Sequence, residues 1–106
     1  MFAFNEDNTF AILDVPGSTV REKALNMYVL TGLGTFLATG DRKFTDALAR
    51  TKCKEHSCLD AGNHAKTLSG KHPEFHGDKG GGWTVTIPGL KRGAELVKQV
   101  ADRASK

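Results

Sequence analysis

No stretch of this 106-residue chain approaches the ~18 consecutive apolar residues that cross a bilayer as a helix. The most apolar part, Ala24 to Ala38, is interrupted by Asn26, Thr31, Gly32 and Gly34, so no membrane partner is expected. Positive charge is missing from the N-terminus, where Glu6 and Asp7 stand and no continuous apolar core follows. A secretory leader is therefore not indicated, and a cytoplasmic location is the default expectation. Cysteine is scarce: Cys53 and Cys58 sit five apart across an expected helix and its exit, a spacing that argues against a bridge and for reduced thiols. Internal repeats and low-complexity runs are absent too. With 39% hydrophobic and 25% charged residues the composition is that of an ordinary globular chain, long enough for one core and too short for two.

The residue patterns that carry chemistry are also missing. Asp46, Glu55, Asp60 and Glu74 are scattered, with no pairing that would suit acid–base work. Gly80-Gly81-Gly82 leads into an expected strand, whereas a phosphate-binding loop leads from a strand into a helix amino terminus. Cys53, His56, Cys58 and His64, followed by His72 and His76, are zinc-ligand types, but the paired spacings of structural zinc sites are absent. Burial of Cys53 on the apolar side of a helix is the preferred reading. A Cys/His nucleophile pair has no third orienting group. No enzyme activity, metal, cofactor or small-molecule substrate is expected.

What is present is an uneven distribution of charge. Residues 1–41 carry two basic side chains, Arg21 and Lys23, against five acidic ones, a balance of −3. Residues 42–106 carry thirteen against seven, a balance of +6. A surface facing phosphates has this bias, because neutralising phosphates releases condensed counterions; a merely solvated basic face has it as well.

The chain divides into an N-terminal arm or strand, 1–18, and a domain over 19–106. Thr9 to Val15 is a short apolar run closed by Pro16-Gly17, an extended segment whose pairing partner the sequence does not name. Thr19 stands three residues before Glu22, a capping-box spacing, and Val20, Leu25, Tyr28, Val29, Leu33, Phe36 and Leu37 follow on a long first helix ending at Gly40. Gly32 and Gly34 inside it mark either a break or a close approach of another backbone. Phe44 before Thr45 reads as a staple and cap for a second helix to Glu55 or His56. A turn from His56 to Leu59 follows, then a short third helix, Ala61 to Ser69, with Asp60 as its cap and Leu68 as its one large apolar residue. Glu74 to His76 and Gly82 to Ile87 flank a glycine-rich tip, with Trp83, Val85 and Ile87 alternating against Thr84 and Thr86. Beyond Pro88, Leu90, Ala94, Val97 and Ala101 mark the apolar stripe of a closing helix.

This order of elements, with Trp83-Thr84-Val85-Thr86-Ile87-Pro88-Gly89 matching an aromatic, any residue, an aliphatic, Thr, two residues and Gly, resembles the winged helix-turn-helix family. The resemblance covers most of Thr19 to Ala104 and implies an α+β fold: a mainly helical winged helix-turn-helix with a C-terminal β-hairpin wing and a closing helix. It implies further that Ala61 to Ser69 lies along a major groove, with Asn63, His64, Lys66 and Thr67 facing bases or phosphates. Lys71 and His72 just past it, and Lys79 at the hairpin tip, would meet the nucleic-acid backbone. Arg42, Lys43, Arg50, Lys52 and Lys54 are secondary phosphate candidates, and Trp83 is expected in the core. The expected function is nucleic-acid binding, DNA first, in a small regulator or as a module of a larger assembly. The alternative implied by the same family is a protein-interaction or homodimerising module. That role would use an apolar patch at Phe2, Phe4, Phe10, Ile12 and Leu13 or at the Gly32/Gly34 face.

Overall fold

A computed structural model of the chain describes residues 2–7, 9–59, 62, 64, 68, 72–78 and 80–104, with only the backbone at 103 and 104. The first helix, α1 (Val20–Thr39), begins where expected: the Thr19 hydroxyl oxygen accepts the Glu22 N–H at 3.1 Å. The Glu22 carboxylate turns back to the Ser18 N–H and hydroxyl, not to Thr19 as a capping box would have it. Gly40, at φ 80, closes the helix in the left-handed region and donates its N–H to the Phe36 carbonyl at 2.8 Å. The helix does not break at its glycines. From Asn26 to Gly34 every residue is buried, so α1 is surrounded by the rest of the chain. Polar side chains inside it are satisfied locally: Asn26 Nδ2 donates to the Pro16 carbonyl and Thr31 Oγ1 to the Met27 carbonyl. Both glycines admit neighbours. A Cβ on Gly32 would lie 2.6 Å from Val85 Cβ, and one on Gly34 would overlap the Phe10 ring. Val20, Phe36 and Leu37, expected on the apolar side, are exposed at the helix ends, where the enclosing elements stop.

The N-terminal segment finds its partner in itself. β1 (Phe2–Phe4) pairs antiparallel with β2 (Phe10–Ile12), Phe4 opposite Phe10 and Phe2 opposite Ile12. The second sheet has three antiparallel strands: β3 (Lys43–Phe44), β4 (Phe75–Asp78) and β5 (Gly82–Val85), in the order β3-β5-β4. Phe44 lies opposite Trp83 on one side of β5, and Phe75 opposite Val85 on the other. Trp83 and Val85 are buried and Thr84 is half-buried, the alternation the sequence showed. Between β3 and the hairpin, α2 (Asp46–Glu55) starts at Thr45, whose hydroxyl accepts the Leu48 N–H at 3.1 Å.

The closing helix, α3 (Ile87–Ala104), corrects two expectations. Ile87 opens this helix and is 56% exposed, where the alternation would have placed it on the apolar face of the strand. The reason is Thr86. Its hydroxyl accepts the Gly89 N–H at 3.0 Å and donates to the Pro73 carbonyl at 2.6 Å, ending the strand and capping the helix in one residue. The buried face of α3 runs through Gly89, Gly93 and Leu96, while Ala94 and Ala101, expected inside, are exposed. A Cβ on Gly93 would sit 2.8 Å from Leu33 Cδ2, so α3 meets α1 through a side chain that is absent. The result is a compact α+β domain of 35 × 30 × 24 Å, with three helices and two small antiparallel sheets among the described residues.

Candidate functional site

Of the six residues assigned to nucleic-acid contact, Asn63, Lys66, Thr67, Lys71 and Lys79 lie outside the described residues, as does the expected Ala61 to Ser69 helix apart from Gly62, His64 and Leu68. His64 and Leu68 are helical and buried, one turn apart. His64, expected to face outward, is 2% exposed, and its Nε2 lies 2.8 Å from the Tyr28 hydroxyl. The imidazole replaces the solvent-facing role with a core one: the segment has two inward anchors, not Leu68 alone.

His64 joins a buried polar network that the sequence did not reveal. The Tyr28 hydroxyl donates to Asp46 Oδ1 at 2.8 Å, and the Trp83 indole N–H donates to the same oxygen at 3.1 Å. Tyr28 has a single proton and gives it to Asp46, so His64 Nε2 carries the hydrogen that Tyr28 accepts. Arg50 approaches the other carboxylate oxygen at 4.0 Å. Burial, reinforced by the bond to Asp46 and by that residue's negative charge, raises the Tyr28 pKa far above its ordinary value, so the phenol stays protonated. The rings of Phe44, Phe75 and Trp83 close around Tyr28 at centroid distances of 6.1, 5.8 and 5.9 Å. Four segments thus meet in one network: α1 through Tyr28, α2 through Asp46, β5 through Trp83, and His64 through its bond to Tyr28. Arranged this way the group holds structure.

The outer side of α2 grips the N-terminal hairpin. Lys52, considered for phosphate contact, is only 7% exposed; its ammonium donates to the Phe10 carbonyl and lies 4.9 Å from the Phe10 ring centroid. His56 Nε2 meets the Ile12 carbonyl at 2.6 Å. These two side chains occupy carbonyls on the outer edge of β2, which would otherwise be an open strand edge. Arg50 is half-buried beside Asp46. Arg42, Lys43 and Lys54 are exposed, leaving three of the five secondary cations on the surface.

The end of α2 reverses sharply. Cys58 N–H donates to the Cys53 carbonyl at 2.9 Å and Ser57 N–H to the Lys54 carbonyl at 3.2 Å, with Ser57 at φ 56. This is a Schellman turn, and it brings together two cysteines that continued helix would set apart. Both thiols are free and buried. His56 and His64 have the separate partners given above, so the four residues weighed for zinc do not converge. Among the described residues, no group of three or more His, Cys, Asp or Glu is placed to hold a metal ion.

Two surface features complete the description. A cleft of about 160 Å³ between α1, the lead-in to β4 and α3 is bordered by Glu22, Asn26, His72, Glu74 and Arg92. It is smaller than the ~300–1,000 Å³ of ordinary ligand pockets. His72, assigned to the approach of the wing, stacks on Phe75 at 5.3 Å. The apolar patch considered for a protein partner is largely spent: Phe10 and Ile12 are buried, and the Gly32/Gly34 face is covered by Val85, Phe44 and Phe10. Phe4 at 50% and Leu13 at 62% are what is left exposed of it. No helix among the described residues is long and apolar enough to cross a membrane. The chain matches no protein-family model, no curated protein and no solved structure, so its residues carry the functional argument alone.

Proposed function

We propose that the chain is a winged helix-turn-helix domain that binds nucleic acid, DNA in the first place, as a small regulator or as a module of a larger assembly. The observation that carries the reading is the strand order β3-β5-β4. It stitches the short strand after the first helix to the second strand of the hairpin, the pairing that a wing would have, which supports the reading. The segment of helical His64 and Leu68 is tied to the same core through Tyr28 and Asp46. On this reading the other side chains of that segment and the hairpin tip would meet a duplex together.

Proposed contacts are Asn63 for base edges and Lys66, Thr67, Lys71 and Lys79 for phosphates, with exposed Arg42, Lys43 and Lys54 adding charge. His64 leaves this set. Asp78, the acid beside Lys79, turns its carboxylate onto the Gly81 N–H, an engagement that draws it back into the hairpin tip. The protein-docking alternative has weaker support, because scattered exposed residues such as Phe4 and Leu13 are ordinary on monomers.

Fluorescence anisotropy with a mixed-sequence duplex tests the reading at about 50 and 200 mM salt. Binding should weaken steeply with salt, and Asn63→Ala/Lys66→Ala should weaken it by about tenfold or more. Absence of binding at the lower salt would refute the proposal and turn attention to the exposed edge of the N-terminal hairpin.

A further inference from the structure

The Schellman turn that ends α2 ordinarily places an apolar contact between the third residue before the cap and the second residue after it. Here those positions are Cys53 and Cys58, joined by the 2.9 Å backbone hydrogen bond, with Ser57 in the left-handed conformation between them and the cap. Both residues are fully buried in the same core cluster, and each thiol shifts the pKa of the other. A packing role alone would be served by any small apolar pair. We propose that Cys53 and Cys58 are a redox-active dithiol, a site that closes reversibly to an intramolecular disulfide with a low-molecular-weight disulfide as its oxidant.

Geometry supplies the first requirement, because a disulfide needs α-carbons about 4.4–6.8 Å apart and sulfurs already facing. The turn holds the two backbones in direct hydrogen-bond contact, with both side chains turned into the same core. Chemistry supplies the second. The neighbouring Cys53 thiol lowers the Cys58 pKa, against an opposing effect of burial and with a smaller lowering by the Lys23 ammonium, whereas the Cys58 thiol and burial both raise that of Cys53. Of the two sulfurs Cys58 is the one assigned the first attack, made as local opening of the turn admits the oxidant.

The Cys58 thiolate attacks one sulfur of the external disulfide; that S–S bond breaks and the first small thiolate departs. The mixed disulfide on Cys58 is then attacked by the Cys53 sulfur, whose proton goes to solvent, and the second small thiolate leaves. Two protein thiols are oxidised and one external disulfide is reduced to two thiols, the two protons released to solvent from Cys58 and Cys53 being taken up from it by the departing thiolates. Closure would lock a turn that now rests on backbone hydrogen bonds, directly beside Lys52 and His56, which hold the carbonyls of β2. The inference is independent of nucleic-acid binding.

The test equilibrates the full chain in mixtures of reduced and oxidised glutathione, quenches with acid, alkylates the free thiols and reads the intact mass. The dithiol should fall at least about tenfold toward the oxidised end, replaced by a monomer lacking two hydrogens, with circular dichroism unchanged and with reversal by reduced glutathione. In Cys53→Ala the Cys58–glutathione mixed disulfide should accumulate instead. A wild-type chain that keeps two alkylatable thiols in oxidised glutathione while folded would overturn the proposal. So would oxidation seen only after unfolding or only as intermolecular dimers. These readings use the wild-type protein and stand even if the variant fails to fold.

Discussion

Replacing Asp46 with alanine removes the one acceptor that two buried donors share. Trp83 Nε1–H, at 3.1 Å, has Asp46 as its one acceptor among the described residues, and the Tyr28 hydroxyl, at 2.8 Å, is left with His64. An orphaned buried donor costs about 1–3 kcal/mol. Tyr28 recovers part of its loss if His64 shifts its hydrogen to the other ring nitrogen, so the two donors together come to about 3 kcal/mol. Loss of an acidic residue from the first turn of α2 adds about 0.3–1 kcal/mol. A total near 3–4 kcal/mol is a large part of the ~5–15 kcal/mol that holds a domain of this kind. Asp46→Asn keeps an oxygen facing both donors and should cost about 1 kcal/mol. Urea unfolding followed by fluorescence of Trp83, the chain's single tryptophan, reads both the stability and the surroundings of one donor. The alanine variant should unfold at a midpoint lower by about 2 M, with the asparagine variant between it and the parent. Alanine within about 1 kcal/mol of the parent, or equal to asparagine, would refute the idea that Asp46 is the shared acceptor.

Three further outcomes follow from the same geometry. Gly89→Ala drives a methyl group into the Glu74 carbonyl, a backbone atom that cannot turn aside, and should cost about 1–3 kcal/mol by thermal unfolding; a neutral result would show that α3 does not close on the lead-in to β4. Lys52→Met keeps the apolar stem but leaves the Phe10 carbonyl without its donor, so amide exchange in β1 and β2 should quicken while the three-stranded sheet is unaffected. Tyr28 is held protonated in the folded chain above its ordinary value of 10.0, whereas the unfolded chain releases that proton from about pH 10. Its stabilising contribution is present in full below that point and declines as pH rises, by up to about 1.4 kcal/mol per pH unit. Tyr28→Phe should therefore show a shallower alkaline decline in urea midpoint than the parent.

Legibility in the sequence followed the range of the interactions. Thr19, Gly40 and Thr45 were readable because a cap acts within three or four residues, and β5 because alternation is a local period. The segment Trp83 to Gly89 was readable as a pattern, and the structure supplies its causes: Trp83 reaches Asp46, Val85 fills the space over Gly32, Thr86 caps α3 and Gly89 clears the Glu74 carbonyl. The buried face of α3 was misread because glycines carry no hydropathy: close approach left its mark at Gly89, against the Glu74 carbonyl, and at Gly93, against Leu33 of α1, not at Ala94 and Ala101. Lys52 and His64 were misread for a related reason. A polar side chain with a buried partner looks solvent-facing until the partner is known, and those partners are 42 and 36 residues away. Asp46 meets Tyr28 and Trp83 across 18 and 37 residues, beyond any spacing rule.

Chemical-shift mapping of the ¹⁵N-labelled chain with a short mixed-sequence duplex tests the central claim most directly, because it reports both whether nucleic acid binds and which face receives it. The account predicts that perturbed amides gather at residues 63–71 and at the hairpin tip, 78–82, fading as salt is raised. Shifts confined to the N-terminal hairpin, or none at low salt, would contradict it.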